Sequence, residues 1–166
     1  DRDPTGIANL WFKRGDRIIR NPIRPLIEPL DSLPFPDRDI FRFGELLKVF
    51  AEAEFMGSRG CPFPCAYCAN HALQDLYRGK GSYVRYRSVG NLLDEVEHVV
   101  KAYPGVGLLG FHDDTFTLNA RWFNEFTEAY PARFRLPFWC NATAPSITED
   151  IAARLKRAGC YEVRIG

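Results

Sequence analysis

The chain has 166 residues, 46% of them apolar and 26% charged, which is enough for a core of its own and ordinary for a globular domain. A formal net charge of +1 argues against a dominant polyanion as partner, so nucleic acid is not expected, and no apolar run is long enough to cross a bilayer. Five cysteines, an odd number with three close together, favour a reducing, cytoplasmic setting and a metal over a disulfide framework. The sequence opens at Asp1 without Met or a signal pattern and closes on Tyr161–Gly166, which reads as a strand in progress. It is therefore expected to be a piece of a longer protein.

In chain order, the first twenty residues suggest a hairpin, with Leu10, Trp11 and Phe12 going out, Lys13-Arg14-Gly15-Asp16 turning, and Ile18 and Ile19 returning. Pro22, Pro25, Pro29, Pro34 and Pro36 then forbid helix and predict an extended, semi-rigid linker wrapped over a neighbour. Residues 39–48 read as a short helix, and Phe50 to Met56 as a strand. On that strand Glu52 and Glu54 alternate with Ala51, Ala53 and Phe55, placing two carboxylates on one face. They point either to solvent at an edge or into a polar lumen, and the lumen is preferred.

The strand leads into Ser58-Arg59-Gly60-Cys61-Pro62-Phe63-Pro64-Cys65-Ala66-Tyr67-Cys68-Ala69-Asn70. The C-x3-C-x2-C spacing gathers three thiols at little loop-closure cost, and Gly60, Pro62 and Pro64 shape the loop. Converging thiolates suit a soft metal centre. His71 could complete a closed Cys3His zinc site; alternatively it merely opens the next helix and three ligands remain.

C-x3-C-x-aromatic-C resembles the signature of the radical S-adenosylmethionine (radical SAM) superfamily, and SRGCPFPCAYC resembles its cobalamin-dependent and methylthiotransferase branches. The resemblance implies a [4Fe–4S] cluster on Cys61, Cys65 and Cys68, with an open iron for S-adenosylmethionine and Tyr67 near the adenine. The segment Leu30 to Arg38 is similar to the one joining a cobalamin-binding domain to the barrel. That implies a linker region over 1–38 and the start of the barrel over 39–166, with cobalamin bound mainly by a domain outside this chain.

Beyond the cysteines, His71 to Tyr77 suggests a short helix. Arg78 to Arg87 is a basic stretch with interleaved aromatics, read as a glycine-rich loop with solvated arginines, RNA contact being the alternative. Ser88 can cap a helix with Leu92, Leu93, Val96, Val99 and Val100 on its apolar face, ended by Pro104-Gly105. Val106 to Phe111 reads as a buried parallel strand that delivers His112-Asp113-Asp114 to its C-terminal end. Asn119 caps the next helix and Pro131 is expected to stop it. Leu136 to Cys140 forms a strand, Ser146 and Glu149 a capping box, and Tyr161 to Ile165 a last strand. Cys140 and Cys160 read as core residues.

The alternation of strand and helix predicts parallel pairing, with ligands at the C-terminal strand ends. The superfamily resemblance specifies an α/β fold, the N-terminal part of a partial (βα)6 TIM-like barrel. It implies that Asp113 or Asp114 contacts the methionine amino group, departing from the commoner Gly-Gly-Glu wording, and that Asn141 and Arg164 reach the ribose or carboxylate. The expected activity is reductive cleavage of S-adenosylmethionine to a 5′-deoxyadenosyl radical. A small-molecule substrate is then methylated or rearranged at an unactivated carbon, with flavodoxin or ferredoxin as electron donor. The chain alone is expected to be weak or inactive. A tRNA methylthiotransferase is the alternative enzyme, and a zinc or iron–sulfur module without catalysis the alternative outside enzymes.

Overall fold

A computed structural model of the chain describes residues 3–166. The hairpin forms as expected, with strand β1 (Trp11–Arg14) antiparallel to β2 (Arg17–Arg20) and Gly15 in the turn at a φ of 61°. The proline segment after it runs extended and is fastened by backbone groups that its prolines leave free. Leu26 N–H donates to Lys80 O at 2.7 Å, and Arg85 donates to Ile27 O at 2.9 Å. Asp31 accepts from Ser88 N–H at 2.9 Å. Two short 3-10 turns (Leu30–Ser32 and Asp39–Phe41) carry it to helix α1 (Phe43–Phe50).

Four parallel strands, β3 (Glu52–Phe55), β6 (Leu108–Phe111), β7 (Phe138–Ala142) and β8 (Cys160–Ile165), lie side by side in chain order. Helices α3 (Val89–Ala102), α4 (Ala120–Arg133) and α5 (Glu149–Ala158) supply the crossovers. The molecule is an α/β arc of the TIM-like kind, in which β4 (Ser58–Arg59), β5 (Arg85–Tyr86) and α2 (Ala69–Leu76) frame the cysteine loop between β3 and α3. The two faces of the sheet differ because side chains alternate along a strand. Ala53, Phe55, Leu109, Phe111, Phe138 and Cys140 are buried under the helices. There Phe111, Phe116, Phe126, Tyr130 and Phe138 pack largely edge to face, with centroids 4.8 to 6.4 Å apart. The opposite face carries Glu52, Glu54, Trp139, Asn141 and Arg164 in matching register, so the two glutamates belong to the polar inner surface of the arc.

Three local expectations are corrected. Pro131 does not stop α4, which runs to Arg133. The proline costs one backbone bond in the last turn, where fully buried Tyr130, donating to Leu136 O at 2.7 Å, outweighs it. Ser146 does not cap α5; Thr148 does, accepting from Ile151 N–H at 3.3 Å. Ser146 sits in a 3-10 turn with Pro145 and donates to Thr143 O at 2.8 Å, so Glu149 opens the helix and no capping box forms. The arginines of the basic stretch are not solvated as a set. Arg85 and Arg87 turn inward, and Arg87 joins Arg38 of the linker on one buried carboxylate, Glu95 of α3. A long-range ion pair therefore uses side chains that the local sequence leaves looking free.

Candidate metal centre

The cysteine loop is built from its flanks. Asp113, just past β6 and almost fully buried, accepts from Gly57 N–H at 3.0 Å and hydrogen bonds to the Ser58 hydroxyl, tying the corner between β3 and β4. Burial pushes the Asp113 carboxyl above its usual range, although the Ser58 and Gly57 hydrogen bonds oppose the shift. At Gly60, φ is 86° and a Cβ would lie 2.4 Å from Tyr83 O, so only glycine fits there. The chain can then turn straight into Cys61.

Cys61, Cys65 and Cys68 are all free thiols, Cys65 exposed and the other two half-buried. Cys68 N–H donates to Cys65 O at 3.0 Å, closing a turn. The Cys68 sulfur caps α2 by accepting from Asn70 N–H at 3.5 Å, which is why that helix starts at Ala69, earlier than expected. Burial is the largest cause raising the Cys61 thiol, and Asp114, Cys65 and Cys68 add to it. A bound cation would reverse that balance and deprotonate all three. His71 places Nδ1 2.8 Å from Cys68 O and so serves the start of α2. Among the described residues no three His, Cys, Asp or Glu side chains gather around a single-ion site. Three soft, unpaired thiols on one loop fit an iron–sulfur cluster, which takes each thiolate on a different iron.

The other residues singled out from the sequence are distributed unevenly. Asp114 lies beside the thiols, accepting from Asn70 Nδ2 at 3.2 Å, while Tyr83 donates to Asn70 Oδ1 at 2.9 Å. Asn70 and Tyr83 thus support the loop, and nothing in their local sequence marks them for it. Tyr67 projects from the loop, 87% exposed. Asp113 turns its side chain away from the thiols and into the strand corner, and Asn141 donates from Nδ2 to Asp113 O at 3.2 Å. His112, Asp113 and Asp114 point to three different partners rather than to a common centre.

Arg164 stacks its guanidinium 3.6 Å from the centre of the Trp139 ring and contacts Glu162 at 3.1 Å. Trp139 lies across the sheet because Gly110 has no side chain; a Cβ there would sit 2.5 Å from the indole. The indole N–H donates to Glu52, and His112 packs edge-on at 4.6 Å. The inner face is therefore centred on an aromatic plane that strand alternation places correctly but does not identify as a hub. Cys140 is core, as expected, whereas Cys160 is half-buried, with its sulfur 3.3 Å from Glu162 O.

Comparison with known proteins follows this geometry. The chain is 29% identical over 170 residues to an uncharacterized methyltransferase of Pyrococcus horikoshii, a match covering 99% of the chain and 35% of the relative. It is 32% identical over 169 residues to the anaerobic magnesium-protoporphyrin IX monomethyl ester cyclase of Cereibacter sphaeroides, covering 96% of the chain and 26% of that enzyme. The cyclase of the same name from Rubrivivax gelatinosus is 28% identical over 158 residues. The chain thus spans about a third of the length of the first relative and about a quarter of the second. Residues 56–166, which hold the thiol loop and the strands that follow it, match the model of the radical SAM superfamily, and the chain belongs to that superfamily.

Proposed function

We propose that the chain is the first part of a radical SAM catalytic barrel that acts on an unactivated carbon of a small molecule, in the cobalamin-dependent branch. The observation that carries this reading is the loop of three free thiols, with no fourth cysteine beside it, at the C-terminal end of β3. When bound, a [4Fe–4S] cluster on Cys61, Cys65 and Cys68 supplies the electron that cleaves S-adenosylmethionine. The chain's own part is to hold and orient. Gly60 and the Asn70–Tyr83–Asp114 bridge fix the thiol loop, and Asp114 offers a carboxylate to a cationic amino group beside it. Tyr67 offers an exposed ring for stacking. The hydroxyl–carboxylate pair of Ser58 and Asp113 keeps the loop on the strand ends rather than touching the reacting groups.

The likeness to a methyltransferase and to two cyclases supports a carbon-centred reaction, either methyl transfer or ring formation. The linker wording supports cobalamin as the methyl carrier in the first case, bound mainly outside these residues, and a flavodoxin or ferredoxin as electron donor. Anaerobic reconstitution tests the reading. About four iron and four sulfide per chain are expected, with loss of the cluster absorbance in Cys61→Ala, Cys65→Ala and Cys68→Ala. Dithionite should then release 5′-deoxyadenosine from S-adenosylmethionine, slowly for the chain alone. Zinc in place of iron, or an intact cluster in any one of the three variants, overturns it.

A further inference from the structure

Between the proline segment and the first barrel strand lies a cavity of about 750 Å³. Its apolar wall comes from Leu30, Leu33, Pro34 and Pro36 on one side and from Phe55 and Met56 on the other. Its polar part carries surplus positive charge, because three guanidinium groups, Arg38, Arg59 and Arg87, line it together with only two carboxylates, Glu54 and Glu95. Glu95 is shared by Arg38, at 2.8 Å, and Arg87. The Glu54 side chain is 62% exposed and lies 2.9 Å from His112 Nε2. Arg59 has no carboxylate partner at all among the described residues; its one hydrogen bond goes to the neighbouring Ser58 O at 2.8 Å.

A second observation points the same way. Among the described residues the buried Nε–H of Arg38 lacks a hydrogen-bond partner. Arg38 lines this cavity. Buried donors are almost always satisfied, and leaving one unpaired carries a free-energy cost. Surplus positive charge, an unsatisfied buried donor and an apolar wall in one half-open cavity describe the complement of an amphipathic anion.

The geometry points to this cavity as a binding site for a ligand with an apolar body and a terminal carboxylate or phosphate, the anion docking on Arg59 and the body lying between Leu33 and Met56. Arg38 donates to it from the side. The site does not rest on the iron–sulfur reading, since every residue named lies outside the thiol triad and none of the measurements below needs a cluster.

Met56 is the sole methionine of the chain, so a 13C-methyl label gives one signal from inside the cavity. The full chain is titrated with sodium octanoate, with octanol as the uncharged control and with inorganic phosphate, while the Met56 methyl and arginine Nε–H resonances are followed. Octanoate is expected to shift the Met56 and Arg59 signals along a saturable isotherm. Octanol should bind at least about tenfold more weakly, as should octanoate to Arg59→Gln, with partial recovery in Arg59→Lys, since a charge-assisted hydrogen bond is at stake. If phosphate displaces octanoate from Arg59, the anion is of the phosphate kind; if it does not, it is a carboxylate. Equal binding of octanol and octanoate, unchanged affinity in a folded Arg59→Gln, or no saturable shift with either anion overturns the assignment.

Discussion

Asp113 shows how a side chain at a strand end can be held by the chain itself. The superfamily resemblance implies contact with S-adenosylmethionine for Asp113 or Asp114, and in the structure Asp113 accepts from Gly57 N–H and hydrogen bonds to Ser58. Its carboxyl is raised by burial above the unfolded value of about 3.9. Because the folded value is the higher one, the native state holds the extra proton, and stability from this group is present at low pH and lost as pH climbs through the raised value. Asn in its place can accept from Gly57 N–H and donate to Ser58 Oγ, imitating the protonated acid. Urea unfolding from about pH 4 to about pH 7 should therefore show a downward contribution in the parent that is missing in Asp113→Asn. A parallel pair of curves would mean that Asp113 is not the titrating group. What was legible in the sequence at this scale was chemistry carried by neighbours in the chain: the thiol triad, Gly60 in its tight turn, and the caps Ser88 and Asn119. Asn70, Tyr83 and Arg59 acquire their places only through partners brought in by folding.

At the level of elements, the order of strands and helices follows from local patterning, and all four strands of the parallel sheet overlap the stretches that the sequence marks as strands. The misjudged points are those where tertiary packing overrules a local signal, as at Pro131, or where two neighbouring hydroxyls compete, as Ser146 and Thr148 do. The linker's attachment is a different matter. Arg38 and Glu95 are 57 residues apart, and no spacing rule connects them. Glu95 is 2% exposed, and the side chains of Arg38 and Arg87 only 15% and 11%. Removing the shared carboxylate strands two mostly buried cations, so Glu95→Ala is expected to lose about 3–5 kcal/mol of stability. The urea midpoint measures the loss, and faster tryptic cleavage after Arg38, the trypsin-sensitive bond of this segment because Arg24 precedes Pro25, would show that the segment has come free.

Across the sheet, β3 and β8 are each bonded on one side only among the described residues. Tyr161 and Ile165 on β8 are 74% and 52% exposed, and α1 presents Val49 and Phe50 at 74% and 70%. Unpaired backbone beside exposed apolar side chains is a template for association. The 166-residue chain is expected to gain apparent mass with concentration in sedimentation velocity, and Tyr161→Lys together with Ile165→Lys should suppress the gain. A strictly monomeric parent would show that these edges are protected in solution.

The fastening of the proline belt has a mechanical corollary. Arg85 grips the belt at Ile27 O and, through the β4–β5 ladder, lies opposite Arg59, next but one to Cys61. A pull applied ahead of residue 27 would thus reach the three thiols across a single side chain and one rung of sheet, without crossing the hydrophobic interior. Whatever tugs on that end of the chain has a short lever on the spacing of the three sulfurs.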